Sequence, residues 1–536
     1  MSIKVSRIVS MIGAIALLLG IPCAARAQAD QKPVAVISIN KMDEIMGDLG
    51  LLTEVAGQQD AGRVFLGMAG IYSSGIDRTK PAGAYVTIGQ AGPQVVAFVP
   101  VKNLKQLLGV YREQLGTPKD IGNGVLEIGA DRPQPVYVKE QGGWAYLVQD
   151  PKNFAGLPAD PSKMLQGLDQ KYDIAIQFNM ANIPAEIRDL FISQMKMGYD
   201  QAMEAQSRNL PPDQREIADQ LGKTIVKGVE EFVEQAEQLT LGFAIDGKTK
   251  NMSLEVALTA KPGTDLAKQM ATMYDIKSLF GGLGGKDSAA NGNMTMALAP
   301  NDIAQLNGLL KAAREGAMKG IDDDSGVPAG KRDSLKSAVS SILDVLQSTA
   351  SAGKIDAGGA VNLGDEGAEV VAGALLQDGL KLEKAVKELV AIGKDEPNFP
   401  NIQLDVAKHG GVNFHKIEIP TAELDANARK VFGDRLELVL GFGRDRALFA
   451  MGRDGQAILK RAIDRGAAGA AALPLQVQLA TGQWIRFANK LESNPQNQTL
   501  AAASEKVSGS DKVSLMVKPI ERGMAYRFEI ASGVIE

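Results

Sequence analysis

His409 and His415 are the only imidazoles in this 536-residue chain, and they stand on either side of Gly410 and Gly411. A Gly-Gly pair between strand-like residues predicts a two-residue hairpin turn, which sets His409 opposite Val412 and His415 opposite Val406. Side chains alternate along strands, so the two imidazoles fall on opposite faces. His415 shares its face with Leu404 and Ile417, and His409 sits at the turn. The pair is not placed to share one metal ion, and no cysteine nearby completes a zinc set. A structural role is expected for both.

Other segments begin a known chemistry and stop short of it. Asp322, Asp323 and Asp324 lead to Gly326. An EF-hand loop needs an acid at its fifth position and a glutamate at its twelfth, where this chain has Gly326 and Asp333. A solvated loop between helices is expected. Residues 281–286 (GGLGGK) fail as a phosphate loop, because Phe280 holds the first glycine position and Asp287 the Ser/Thr position. Ser193 and Lys196 match S-x-x-K without a K-T-G partner, and neither G-x-S-x-G nor H-E-x-x-H occurs. Paired carboxylates are the one catalytic device left open, with no pair singled out. Trp144 and Trp484 are the only tryptophans, too few for a sugar-stacking groove or the aromatic girdles of an outer-membrane barrel. No catalytic, cofactor-binding or metal-binding residue is assigned, and no cofactor is expected.

The N-terminus indicates a compartment. Lys4 and Arg7 precede an apolar run over 8–21, and Pro22 and the A-x-A sequence of Ala25, Arg26 and Ala27 follow. A charged start, a short apolar core and a small-residue end make a secretory signal peptide, expected over 1–27 with cleavage before Gln28. Lipidation at Cys23 is disfavoured because Pro22 stands where a small residue is needed. Cleavage removes Lys4, Arg7 and Arg26 and no acid. Of 58 basic and 63 acidic residues, 55 and 63 remain, a net charge of −8. The single cysteine leaves too, so packing without disulfides must hold the exported chain together. A mildly acidic surface without a basic stripe argues against nucleic acid. No later segment is long and apolar enough to cross a membrane.

Stepping from residues to elements, one pattern recurs: a strand, a helical stretch, two strands joined by a turn, and a helix. The first copy has strands at 34–40, 81–86 and 95–99 and a closing helix at 104–115. The second has strands at 174–179, 239–245 and 252–258 and a helix from Thr264, and the third has strands at 294–298, 359–363 and 369–375 and a helix near Lys381. Pro212 and Pro328, Gly263 and Gly379, and Leu266 and Leu382 pair at one constant offset. A shortened fourth copy starts at 475–479 and ends in a hairpin of 512–518 and 524–530. A different module, with strands at 124–128, 136–138 and 144–148, lies between copies one and two. Its counterpart has strands at 412–419, 436–440 and 447–450 and a helix at 456–465. The expected fold is α+β with two similar halves, 28–275 and 293–536. A Gly/Ser/Asn-rich linker over 276–292 joins them. In each half an antiparallel sheet is covered on one face by amphipathic helices.

The stretch 217–239 places Ile217, Leu221, Ile225, Val229, Phe232 and Ala236 on one helical face, and Leu335, Val339, Ile342, Val345 and Leu346 repeat the pattern. Both stripes are expected to lie on their own sheets. The runs 34–40 (VAVISIN), 142–148 (GGWAYLV) and 179–184 (NMANIP) resemble those of uncharacterised exported proteins from planctomycete-type bacteria. That resemblance covers most of the exported chain and implies compartment and architecture, with no mechanism. The functional expectation is a non-enzymatic binding or structural scaffold of the periplasm, cell envelope or extracellular space, with an envelope protein or ligand as partner. One alternative is a periplasmic carrier of an apolar ligand between sheet and helices, lined in part by Met195, Met197 and Met203. The other is a hydrolase using carboxylates alone.

Overall fold

The computed structural model describes residues 32–536 apart from 90–91, 131–133, 208–211, 286, 325, 365–366, 395–398, 422–423, 425 and 467–469. The expected signal peptide and Lys286 lie outside the described residues. The fold is mixed α and β with a large antiparallel sheet. The chain forms two compact units, one up to Lys268 with Ile520–Ala525, the other Gln269–Pro519 with Tyr526–Val534. Among the described residues no helix is long and apolar enough to cross a membrane.

In the first unit the strands are β1 (Ala35–Ile39), β2 (Ala82–Gly89), β3 (Gly92–Pro100), β4 (Val125–Ile128), β5 (Val136–Gln141), β6 (Trp144–Val148), β7 (Ile174–Asn179), β8 (Ala236–Ile245) and β9 (Met252–Ala260). They lie in the order β4-β5-β6-β3-β2-β1-β7-β8-β9, each antiparallel to its neighbours. β1 is central and largely buried, and its Val36 packs with Phe98, Tyr146, Trp144 and Leu165 in one core. Gly83 is required there, since a Cβ would meet the Ile37 carbonyl at 2.5 Å.

Helices α1 (Met42–Val55) and α2 (Gln59–Tyr72) connect β1 to β2, and α3 (Ala185–Ser207) and α4 (Pro212–Gln235) connect β7 to β8. α4 departs from expectation. It stops at Gln235, because residues from Ala236 onward pair with β7 and β9. Ile225, placed on the buried face, is 66% exposed; the side chains of Ile217 and Leu221 lie outside the description. The main neighbour of α4 is α3, and Tyr199 lies over Gly222, where a Cβ would have no room.

The second unit has strands β10 (Ala290–Ala297), β11 (Lys354–Gly364), β12 (Gly367–Leu375), β13 (Ile402–His409), β14 (Val412–Pro420), β15 (Arg435–Phe442), β16 (Arg446–Gly452), β17 (Leu475–Ala480) and nearly all of β18 (Lys512–Ile520), together with β19 (Gly523–Ile530) from Tyr526 onward. The order from β13 to β18 is β13-β14-β15-β16-β12-β11-β10-β17-β18, again antiparallel throughout. Helices α5 (Pro300–Asp323) and α6 (Ala329–Ser351) connect β10 to β11, α7 (Gly379–Gly393) follows β12, and α8 (Gly455–Gly466) follows β16. α6 packs chiefly on α5 and α7. Val345 is buried from its expected stripe, while Leu346 remains exposed.

The expected linker over 276–292 is instead part of this unit's core. Phe280 and Leu283 are both 2% exposed and pack with Val371, Phe414 and Leu448. Buried Asp356 accepts from Ser278 Oγ at 2.5 Å and from the Leu279 N–H at 3.0 Å. Glycines on the facing strands make room: a Cβ on Gly373 would come within 2.6 Å of the Phe280 ring. The glycines of the segment serve close packing where its composition suggests a tether, and β10 itself begins inside it.

Candidate functional site

The second unit holds a cavity of about 410 Å³ between the α5–α6 hairpin and the sheet. Leu306, Leu309, Leu310 and Ala313 line it from α5, Leu346 and Ala350 from α6, and Ile355, Ala357, Ala374 and Leu375 from β11 and β12. Alanines where two helices meet a sheet leave space that larger residues would fill. Two polar groups in the wall, Thr349 and Asp356, are already engaged, and Lys354, which also lines it, is exposed. Thr349 Oγ1 donates to the Val345 carbonyl at 2.7 Å and accepts the Gln377 N–H at 3.0 Å, and Asp356 holds Ser278 and Leu279. A wall of this kind offers dispersion and burial to a hydrocarbon and little to a polar molecule. Leu309 and Leu346 are exposed at the surface of the same helices. None of Met195, Met197 and Met203 lines the cavity. They lie on α3, and Met197 is 54% exposed, so the methionine lining envisaged for a carrier does not form it.

A second constellation gathers on α7 and the β13–β14 hairpin. Gly410 and Gly411 take φ of 54° and 79°, and His409 pairs with Val412, as the turn requires. His415 does not oppose Val406. Pairing jumps from Ala407 with Phe414 to Gln403 with Lys416, leaving a bulge in which Asp405 has φ 55°. The Asp405 N–H, lost to the ladder, donates to His415 Nδ1 at 3.0 Å. Nε2 therefore carries the proton and donates to Glu383 Oε1 at 3.2 Å. Burial holds the imidazole below its ordinary pKa, so it is neutral.

Glu383, Asp405 and His415 bring three potential ligand atoms within 4.8 Å of one another. The Lys387 ammonium already stands between the carboxylates, 2.8 Å from each. Burial would raise Glu383, but Lys387 and Asn413 outweigh it and hold the carboxyl below the usual range. Lys387 is raised in turn: desolvation is outweighed by its bonds to Asp405 and Glu383. A metal would have to displace this ammonium and strip the proton from Nε2, whose tautomer the bulge fixes. The cluster is an internally bonded network in which one ammonium bridges both carboxylates. His409 points elsewhere, with Nε2 2.7 Å from Asp464.

The first unit contains one carboxyl pair of the kind that sequence left open. Asp48 on α1 is pushed up to about 6, first by burial and then by the charges of Asp173 and Glu44, with Asp246 also contributing. Buried Asp173 accepts the Ile245 N–H at 2.8 Å. That oxygen is committed to holding the chain between strands.

No family model, curated protein or solved structure matches the chain. Function therefore rests on this geometry. The remaining motifs act locally: Asp324 accepts the Gly326 N–H at 2.7 Å, Asp322 pairs with Lys336, and Lys196 pairs with Glu230. Sequence reading missed Glu383, Lys387 and Asp48. The first two were visible only as an i,i+4 charge pair on a helix, and Asp48 meets Asp173 across distant segments with no local signal.

Proposed function

We propose that this is an exported, non-enzymatic binding protein that carries an apolar ligand between a helical hairpin and a sheet. The observation that supports this is the α5–α6 cavity, whose wall is mainly aliphatic and whose Thr349 and Asp356 are already bonded, with exposed Lys354 its one ammonium. Its volume lies near the lower end of small-molecule pockets. At about 30 Å³ per water-sized group it takes roughly a dozen methylenes. Hydrolysis by carboxylates has less support, because Asp173 and Glu383 are engaged in holding backbone and side chains. Export rests on the N-terminal pattern, and sequencing of protein from its native host should begin near Gln28.

The proposal includes descent from a duplicated half. The orders β4-β5-β6-β3-β2-β1-β7-β8 and β14-β15-β16-β12-β11-β10-β17-β18 run in parallel, strand for strand, with helix pairs between β1 and β2, β7 and β8, and β10 and β11.

Native mass spectrometry after mild extraction, with titration of a fluorescent alkyl-chain probe, tests the carrier reading. Leu309→Glu places a charge on an already exposed lining residue. It should abolish probe binding and leave the melting temperature within a degree or two. Unchanged probe binding in that variant, or no binding in the parent protein, refutes the reading.

A further inference from the structure

The outer face of α2 carries Val64, Phe65, Met68, Ile71 and Tyr72, all exposed, with Val64 and Ile71 at 64%. At 100° per residue they fall within an arc of about 120°. This is not the face that holds the helix to the fold. Gly62, on the opposite side, sits so close to Thr53 of α1 that a Cβ would overlap its hydroxyl, and Gly50 faces Leu66 in the same seam. α2 is therefore apolar on its packed side and again on its open side. At 150–250 Å² for a large side chain, the open stripe amounts to roughly 500 Å², in the range where exposed patches are commonly functional.

Two observations select what covers it. The first is charge. The only charged residues of α2 are Asp60 and Arg63, which pair with each other, while neighbouring α1 carries Asp43, Glu44, Asp48 and Glu54. Two of those acids are themselves paired, Asp43 with Arg78 and Glu44 with Lys41, so the helix pair has no surplus of cations to hold an anionic bilayer. The second is the spacing of the stripe, which is symmetric about Met68. Val64 and Phe65 lie four and three residues before it, and Ile71 and Tyr72 three and four after. Each end thus offers one β-branched and one aromatic side chain. A two-fold contact needs a patch complementary to itself, and an antiparallel crossing at Met68 sets each end against the other end of a second helix. The stripe of roughly 500 Å² supplies more than half of the roughly 800 Å² per partner that stable dimers bury, the rest coming from residues around it.

We propose that the α2 stripe docks a second copy of this chain, α2 crossing α2 antiparallel with the two-fold axis at Met68. The inference does not depend on the carrier reading, since the cavity belongs to the other unit.

The test uses the chain from Gln28 onward, which lacks cysteine. Sedimentation equilibrium should give twice the chain mass at micromolar concentration. Met68→Arg should weaken self-association at least tenfold while circular dichroism and the melting temperature stay unchanged, since Met68 is exposed. Met68→Cys should cross-link to a covalent dimer under mild oxidation, and Ser193→Cys, at another exposed position, should not. A monomer up to about 100 μM overturns the proposal. So does a dimer that survives Met68→Arg without cross-linking through Met68→Cys. Cosedimentation of monomers with phosphatidylcholine vesicles, lost in Met68→Arg, overturns it in favour of a lipid surface.

Discussion

Replacing Phe280 with alanine separates a core segment from a tether. The ring is 2% exposed and lies against Val371, Leu448 and the backbone of Gly358 and Gly373. Burying a Phe removes roughly 150–250 Å² from water, which at about 25 cal/mol/Å² is on the order of 4–6 kcal/mol. Measured Phe→Ala changes of about 3–5 kcal/mol include the cavity left behind. The expected loss is therefore about 4 kcal/mol, confined to the second unit. Hydrogen exchange read by mass spectrometry reports each unit's opening separately. Protection of β11 and β12 should fall while that of β1 and β2 holds. Gly373→Ala supplies an internal check, because its Cβ would lie 2.6 Å from the ring. Alone it should cost about 1–3 kcal/mol by overpacking, and in the Phe280→Ala background clearly less. A Phe280→Ala effect within about 0.5 kcal/mol, as for exposed substitutions, would refute the packing of this segment.

Asp48 binds its proton more tightly in the fold than its ordinary value of 3.8 implies, so it destabilises as pH rises from about 4 through about 6. Asp48→Asn should flatten that part of the stability profile and raise stability at pH 7 by about 1–2 kcal/mol after allowance for solvent screening. A parent profile flat between pH 4 and 6 contradicts this. Glu383 is depressed, so its contribution is present above its ordinary value of 4.5 and lost as acid protonates it. Glu383→Ala should cost about 2–3 kcal/mol at pH 7, less than a fully buried pair because Lys387 is a third exposed. Zinc, calcium or a chelator should leave the parent melting temperature unchanged, whereas a rise of several degrees with zinc would show that the metal displaces the Lys387 ammonium.

Much of the strand framework was legible in the residues alone. Alternation and turn glycines located β6 to the residue, and the β13–β14 turn at Gly410 and Gly411 set His409 against Val412. These are local properties: a period of two and a positive φ are written in neighbouring side chains. Tertiary structure decided the rest. Glycines at 281–285 read as a tether because composition cannot reveal that Phe280 finds space above Gly373. The α4 stripe read as a sheet contact because periodicity specifies an apolar face without naming what covers it. His415 was assigned a ladder partner, yet the bulge at Asp405 gave it a backbone donor and so fixed its tautomer. The cavity was legible only as a possibility, since it is made of absent volume: alanines from two helices and two strands that converge at one point. Spacing along a chain records which residues share a face. Which faces meet, and how closely, depends on contacts between residues far apart in sequence.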